Sequence, residues 1–122
     1  MKRSEKKKLE DKADSLWSDL VIARDGKCRS CGAKNNLSAH HIRVRQHKAT
    51  KYDIDNGLCL DWKCHSLQKY RPQAFHDLVI DIIGQTAYDE LRERSEVNIQ
   101  DKYGMCYGIR FLRFIIERLK SD

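Results

Sequence analysis

The feature that most restricts the fold of this chain is a set of three spaced cysteines, Cys28, Cys31 and Cys64. The first two form a Cys-x2-Cys pair beside Gly32, and the third follows about thirty residues later, where a short helix is predicted to begin. Ligands at this spacing, separated by a hairpin, are typical of tetrahedral structural zinc sites. Two buried thiols paired by chance, or a disulfide, are the alternatives. The pattern favours a zinc ion that fastens a turn-rich knuckle, residues 27–36, to the start of that helix.

The length and composition of the chain agree with a metal-stabilised protein. Its 122 residues suffice for one domain with a modest core, to which a metal would add stability. It has no run of about 18 apolar residues, so we expect no membrane span. The charged start, MKRSEKKKLEDK, lacks the apolar stretch of a signal peptide. We therefore expect a cytoplasmic protein, whose reduced cysteines, five in number, more often hold metal than form disulfides.

The positive charge of the chain is concentrated in its first half. The net charge is +6, and residues 1–65 carry 15 Lys/Arg against 9 Asp/Glu, whereas residues 66–122 carry 9 of each. The excess therefore lies in the half that also holds most of the cysteines and histidines. A basic surface indicates a polyanionic partner such as a nucleic acid.

Hydrophobic periodicity predicts helices and strands in the same chain. Apolar residues recur at helical spacing from about Glu5 to Arg24, and Asp25-Gly26 ends this predicted helix. Two extended segments follow, residues 37–44 and 52–60, the second broken by an Asn-Gly turn signal. The order is therefore helix, knuckle and hairpin.

The remainder of the chain is predicted to be helical. A short helix stops before Pro72, a second helix runs from Pro72 to its cap at Gly84, and a third covers residues 86–94. A final helix of about 20 residues carries an aromatic stripe that we interpret as core or as the contact of a homodimer. We predict a single α+β domain over residues 1–122. It comprises an N-terminal helix (1–26), a ββα core with its zinc knuckle (27–70) and a helical C-terminal extension (71–122).

Three histidines and an asparagine lie inside this core. His40 and His41 are adjacent on the first strand, Asn56 lies near the second, and His65 directly follows Cys64. Adjacent strand residues point to opposite faces of a sheet. One of the pair can therefore face a metal together with His65 while the other faces a phosphate. Ordinary packing does not require this series of imidazoles, so the combination indicates a functional site.

The order of these motifs resembles the HNH endonucleases, also called ββα-metal or His-Me finger nucleases. The shared pattern is a Cys-x2-Cys pair, HHI, the turn DIDNG, and a cysteine followed by histidine, and it covers roughly residues 27–70. The resemblance implies a treble-clef zinc knuckle and a metal-dependent DNA endonuclease encoded by a phage or prophage in a bacterium. It further implies that His40 and His65 hold one divalent cation, that His41 is the general base, and that Asn56 braces the loop that orients it. The later stretch from YRPQAFHDLVIDIIG to YDEL is also similar to phage recombination proteins of the NinG type.

The residues also suit phosphodiester hydrolysis on chemical grounds. A neutral histidine, with an ordinary pKa of about 6.5, can accept a proton from water at neutral pH. A cation held by two imidazoles, with its other positions open, can stabilise charge on the phosphate and assist the leaving 3′-oxygen. The resemblance implies 5′-phosphate and 3′-hydroxyl products. The cation would be Mg2+, Mn2+, Ni2+ or Zn2+, and two imidazoles suit the last three better.

The fourth zinc ligand is either Asp61 or Cys59. Members of the family usually carry a second Cys-x2-Cys pair just before the final histidine, and here Asp61 occupies its first position. Asn56 keeps the family's nine-residue spacing to His65, which favours Asp61. The preference of zinc for thiolate favours Cys59, but that residue lies about 6.6 Å farther back along the strand. Cys59 would therefore ligate only if the strand bulged.

The loop between the two predicted strands is basic and is predicted to contact DNA. Its sequence RVRQHKATK contains no acidic residue, and it can grip the sugar-phosphate backbone. The predicted contacts are Arg43, Arg45, Lys48 and Lys51.

A second hypothesis makes the chain a binding module. It would be a zinc-stabilised nucleic-acid-binding protein of phage recombination or packaging whose HNH motif is inactive. The presence of His40, His41, Asn56 and His65 together favours the nuclease, because a pure binding module requires none of them.

Overall fold

The computed structural model describes residues 4–121, which form a mostly helical α+β fold around one two-stranded sheet. This is the fold class predicted from the sequence. In chain order the elements are α1 (Glu5–Asp25), β1 (Leu37–His41), β2 (Gly57–Asp61), α2 (Leu67–Tyr70), α3 (Pro72–Ile83), α4 (Gln85–Ser95), α5 (Ile99–Tyr103) and α6 (Ile109–Ser121). Within the described part of the chain, no helix is both long and apolar enough to cross a membrane.

Helix α1 begins and ends at the signals that its sequence carries. The side chain of Ser4 caps its first turn by accepting a hydrogen bond from the Lys7 N–H. Gly26 ends the helix in the left-handed conformation, with φ of 69°, and its N–H donates to the Ile22 carbonyl at 2.8 Å. The predicted end at Asp25-Gly26 is confirmed.

The two strands form an antiparallel hairpin that is shorter than the sequence suggested. Ala39 pairs with Cys59 and His41 pairs with Gly57. Residues 54–56, predicted as part of the second extended segment, instead form a 3-10 turn capped by the side chain of Asp53. The Asp53 side chain gives the backbone of this turn a local hydrogen-bond partner in place of the neighbouring strand. The second strand therefore begins only at Gly57.

Gly57 allows α1 to lie directly on the hairpin. A Cβ atom at this position would stand 2.4 Å from Val21 Cγ2 and 2.9 Å from the Trp17 ring. Both distances are below any real contact, so only glycine permits this approach. The close packing places the Trp17 side chain beside β1.

Two clusters of buried apolar side chains lie on opposite sides of the hairpin. One joins α1 to α6 and includes Trp17 and Val21. The other packs Leu58 and Leu60 of β2 against Phe75 of α3 and the neighbouring α4. Helix α3 begins at Pro72 and ends before Gly84, as predicted. The hairpin therefore contributes side chains or backbone to both clusters.

The predicted final helix is two helices in the structure. Gly104 adopts φ of 72° and ends α5, and α6 begins at Ile109. A left-handed glycine interrupts the helical path, although the apolar spacing continues through it. The buried face of α6 packs in the cluster shared with α1, so these residues of the stripe belong to this chain's own core, and a homodimer contact stays a prediction.

Candidate metal and catalytic site

Three cysteines and one aspartate converge at the end of the hairpin. The ligand atoms of Cys28, Cys31, Asp61 and Cys64 all lie within 4.8 Å of one another. A tetrahedral zinc ion with sulfur ligands at about 2.3 Å would hold these atoms about 3.8 Å apart. The four donors thus need only a small contraction to enclose a metal ion, and the cluster could bind one such as zinc.

Local hydrogen bonds bring these four side chains together. In the knuckle, the Cys28 N–H donates to the Ala33 carbonyl at 2.8 Å, and the Gly32 N–H donates to the Cys28 carbonyl at 2.9 Å. Asp61 is the last residue of β2, and its Oδ1 accepts from the Cys64 N–H at 2.9 Å. The Cys31 thiol contacts Asp61 Oδ2 at 3.4 Å. Asp61 therefore links the knuckle to the segment that precedes α2.

The electrostatic environment differs among the cysteines. Burial acts to raise the pKa of Cys28, but backbone N–H donors, Cys31 first, outweigh it and hold that pKa below its ordinary value. Burial and a hydrogen bond with Asp61 raise the pKa of Cys64 to about 12. A bound cation reverses this preference, because coordination deprotonates a thiol.

Cys59 lies outside the cluster. Its side chain is fully buried, and its backbone N–H donates to Asp25 Oδ2 at 2.9 Å. Burial and the negative charge of Asp25 raise the pKa of the Cys59 thiol to about 11. Of the two candidates for the fourth donor, the structure brings Asp61 into the cluster and leaves Cys59 out.

His41 is held by contacts on several sides. Its ring stacks on that of Trp17, with centroids 4.0 Å apart and planes 5° from parallel. Its Nε2 lies 2.8 Å from the Lys51 carbonyl oxygen. The side-chain amide of Gln68 donates to the backbone carbonyl of His41 at 2.7 Å. A carbonyl can only accept, so Nε2 carries the proton and Nδ1 carries the lone pair. Burial lowers the pKa of His41, although the Lys51 carbonyl acts in the opposite direction.

Asn56 ties together the loop that holds His41. Its side chain is fully buried, its Oδ1 accepts from the Arg43 N–H at 2.6 Å, and its Nδ2 donates to the Arg43 and Thr50 carbonyls at 3.0 and 3.1 Å. The bonded residues lie near the two ends of the segment from 43 to 50. The next residue, Lys51, supplies the carbonyl that accepts from His41.

His40 and His65 come together on the other face of the hairpin. Burial, and then the positive charge of His65, lower the pKa of His40. His65 Nδ1 donates to the Trp62 carbonyl, which leaves the lone pair on Nε2. His40 Nε2 lies 3.1 Å from Ser38 Oγ. Among the residues described, no group of three histidine, cysteine or carboxylate donors includes this pair.

A shallow cleft of about 260 Å³ opens at His40 and His41. Its lining includes His40, His41, Arg45 and Gln68. Clefts of about 530 and 570 Å³ occur elsewhere on the molecule, but none of the three histidines lines them. The smaller cleft is the one that contains His40 and His41, the two histidines of the first strand.

The four basic residues predicted to contact DNA differ in their surroundings. Arg45 is 61% exposed, and the ammonium of Lys48 lies 4.7 Å from the centre of the Tyr107 ring. The side chain of Lys51 is only 3% exposed, and its ammonium contacts the Tyr107 hydroxyl at 3.2 Å. The Arg43 guanidinium donates to Ser95 Oγ at 3.0 Å. Arg45 is the most exposed of the four side chains, and contact of the four with DNA stays a prediction.

Several residues around His41 were not predicted from the sequence to belong to the site. Trp17 was expected only as core, and Gln68 and the Lys51 carbonyl carry no sequence signal for this role. Each is distant from His41 along the chain, and only the folded structure brings them together. Comparison of the chain with protein-family models, with curated proteins and with solved structures found no match.

Proposed function

We propose that this chain is a metal-dependent DNA endonuclease of the HNH type, with a ββα-metal core. The observation that carries the proposal is the setting of His41. Its Nε2–H is fixed by the Lys51 carbonyl, in a loop that Asn56 ties, so that Nδ1 carries the lone pair. A base with one fixed tautomer at a cleft suits proton abstraction from water. The neighbouring pair of His40 and His65 supports the same chemistry.

The reaction is the hydrolysis of a phosphodiester bond. His41 Nδ1 accepts a proton from water, the water oxygen bonds to phosphorus, and the bond from phosphorus to the 3′-oxygen breaks. The 3′-oxygen takes a proton from solvent, which leaves 5′-phosphate and 3′-hydroxyl ends. A divalent cation, Mg2+, Mn2+, Ni2+ or Zn2+, held by His40 and His65 would supply neutralising charge at the phosphate and the leaving oxygen.

The Cys3Asp cluster has a structural role in this proposal, with zinc as its ion. Three thiolates favour zinc over the oxygen-seeking Mg2+ and Ca2+. The ion would fasten the knuckle to the start of α2 and so hold His65, which directly follows Cys64, opposite His40.

DNA is the proposed substrate. The net charge of +6 lies in the half of the chain that contains the cleft, and Arg45 lines the cleft itself. Contacts of Arg45 and Lys48 with phosphates would hold the strand without selecting a sequence.

The deciding experiment is a plasmid-nicking assay with Mn2+, Mg2+ or Ni2+, comparing the wild type with His41→Ala. We expect the substitution to reduce cleavage on the order of 10²–10⁴-fold, the usual effect of losing a positioned general base. His76→Ala is the matched histidine control, because His76 lies on α3, its ring meets the edge of the Tyr88 ring, and it does not line the cleft that contains His41. Ligation of the products without prior phosphorylation would report 5′-phosphate ends.

Two outcomes would contradict the proposal. Near-normal cleavage by His41→Ala would remove the base from its role. Tight DNA binding by the wild type, with no cleavage under any of the cations, would favour instead the zinc-stabilised binding module with an inactive motif.

A further inference from the structure

Arg45 lines the cleft where a substrate phosphate would enter, but no carboxylate of the loop holds its guanidinium in place. It lines the cleft together with His41, and residues 44–46 at the tip of the loop are all exposed. Over residues 4–121, the carboxylate of Asp14 is the only one within 4.0 Å of its guanidinium, at 3.7 Å from Oδ2. Asp14 belongs to α1 and not to the loop.

Asp14 itself is in an unusual setting for a helix residue. Its side chain is one-third exposed, but its Oδ1 is buried and has no donor within hydrogen-bond distance. The hydroxyl of Tyr52 is also buried without a partner, and the pKa of Tyr52 is raised by burial and then by neighbours that include Asp14. Of the two carboxylate oxygens, Oδ2 is therefore the one that faces Arg45. Asp14 precedes Trp17 by three residues, which places both on the same side of α1. That side also carries the Trp17 ring that stacks on His41.

We propose that Asp14 is a positioning residue, whose carboxylate holds the guanidinium of Arg45 at the mouth of the cleft for the scissile phosphate. This inference rests on the proposed nuclease function. It adds a residue of α1 to a site that the sequence assigned wholly to residues 40–65.

The spacing of the pair suits this task. At 3.7 Å the two groups attract each other but form no hydrogen bond, so the N–H donors of Arg45 remain available to a phosphate. A partly ordered arginine also loses less conformational freedom when the substrate binds. An exposed ion pair of this kind contributes little to folding, so its removal should affect the reaction more than the fold.

The test compares Asp14→Asn with Asp19→Asn, an exposed position on the same helix that undergoes the same change of charge. We expect Asp14→Asn to lower kcat about 10- to 100-fold, since small displacements of a positioning group have effects of this size. KM should change little, because charge on the phosphate peaks in the transition state. Asp14→Glu should restore part of the rate, and Asp19→Asn should match the wild type.

A double-mutant cycle isolates the pair. If Asp14 acts through Arg45, adding Asp14→Asn to Arg45→Gln should produce no further loss of kcat. An equal loss in both backgrounds, or no loss in either, would overturn the inference. Melting temperature and metal content, measured on every variant, identify any variant that loses rate through misfolding.

A readout that does not require cleavage separates this inference from the proposed function. Side-chain 15N relaxation of Arg45 should show greater mobility of the guanidinium in Asp14→Asn than in the wild type or in Asp19→Asn. Absence of cleavage by the wild type would refute the nuclease proposal, and with it the use of the pair in catalysis. Unchanged Arg45 mobility in Asp14→Asn would refute the positioning role alone.

Discussion

At the scale of single residues, the orientation of the His41 ring is restricted in two independent ways. The parallel stack on Trp17, with planes 5° apart, opposes rotation of the ring out of its plane. The bond from Nε2 to the Lys51 carbonyl opposes rotation that would exchange the two nitrogens. The lone pair of Nδ1 is therefore held in one orientation, so the proton transfer that we propose would need no prior rotation of the ring.

The carboxylate in the metal cluster can be tested by exchange for a thiol. Asp61→Cys should tighten zinc binding on the order of tenfold and raise the melting temperature, because thiolate is the softer ligand. Competition with a chromophoric chelator measures the affinity. Cys59→Ser should leave zinc affinity nearly unchanged, since that thiol lies outside the cluster.

Cys106→Ser provides the control for loss of a thiol, because Cys106 is exposed and distant in sequence from the knuckle. The opposite pattern, with zinc lost in Cys59→Ser and retained in Asp61→Ala, would mean that the strand bulges in the bound state and that all four ligands are thiolates.

At the scale of elements, the side chain of Asn56 adds three hydrogen bonds to the backbone turns of the loop between the strands. Asn56→Ala would leave an N–H and two carbonyls of the loop without their partner. We expect a loss of about 2–4 kcal/mol in the free energy of unfolding, measured by urea titration. Cleavage should fall as well, because the Lys51 carbonyl would no longer be held beside His41.

The exposed Asn35 supplies the matched control, and Asn35→Ala should change neither quantity. A stable Asn56→Ala variant with full activity would show that the loop keeps its shape without the side chain.

The end of α1 is joined to the knuckle and to β2 by one carboxylate. Asp25 accepts from the Arg24 and Arg29 guanidinium groups and from the Cys59 N–H. Burial acts to raise the Asp25 pKa, but the hydrogen bonds, led by Arg24, outweigh it and hold the pKa below its ordinary value. A lowered carboxyl pKa stabilises the fold above the unfolded-state value and loses that effect as pH falls through the folded-state value.

Asp25→Ala should therefore destabilise the protein by about 1–3 kcal/mol at pH 7. The difference from the wild type should shrink as the pH falls below about 4, because the carboxyl then takes up its proton in the unfolded chain before it does so in the folded protein. Urea unfolding at several pH values measures both effects. A difference that stays constant down to pH 3 would rule out ionised Asp25 as the source of the stability.

At the scale of the whole molecule, the two proposed metal sites should respond differently to a chelator. The Cys3Asp cluster offers four donors, two of them buried, whereas His40 and His65 offer two. We expect EDTA to stop cleavage before it unfolds the protein, because an ion with fewer protein ligands exchanges faster. Parallel measurements of cleavage and circular dichroism would follow the two events, and added Mn2+ should restore cleavage. Cleavage that persists after removal of exchangeable metal would contradict the one-cation mechanism.

The success of the sequence-based predictions depends on how local each signal is. The ends of α1 and α3 were predicted because each helix is followed directly by a glycine, Gly26 or Gly84, that caps it. The cysteines of the metal cluster were predicted because their spacing along the sequence is typical of zinc ligands. The break at Gly104 was missed because apolar spacing continues through it.

The neighbours of His41 could not be predicted, since they come from segments that meet only in the tertiary structure. Gln68 lies 27 residues away and the Lys51 carbonyl 10 residues away. The ion pair between Asp14 and Arg45 likewise joins a helix to a loop. No pattern in a single sequence marks such a contact.

Gly57 has a consequence for how the protein tolerates mutation. It has no side chain that could take part in a reaction. A methyl group at this position would nevertheless collide with the ring of Trp17, on which the ring of His41 is stacked. Displacement of that ring by even a fraction of an ångström would be passed directly to the proposed base. A residue that transfers no proton and binds no metal is therefore expected to tolerate replacement as poorly as the histidine it indirectly supports.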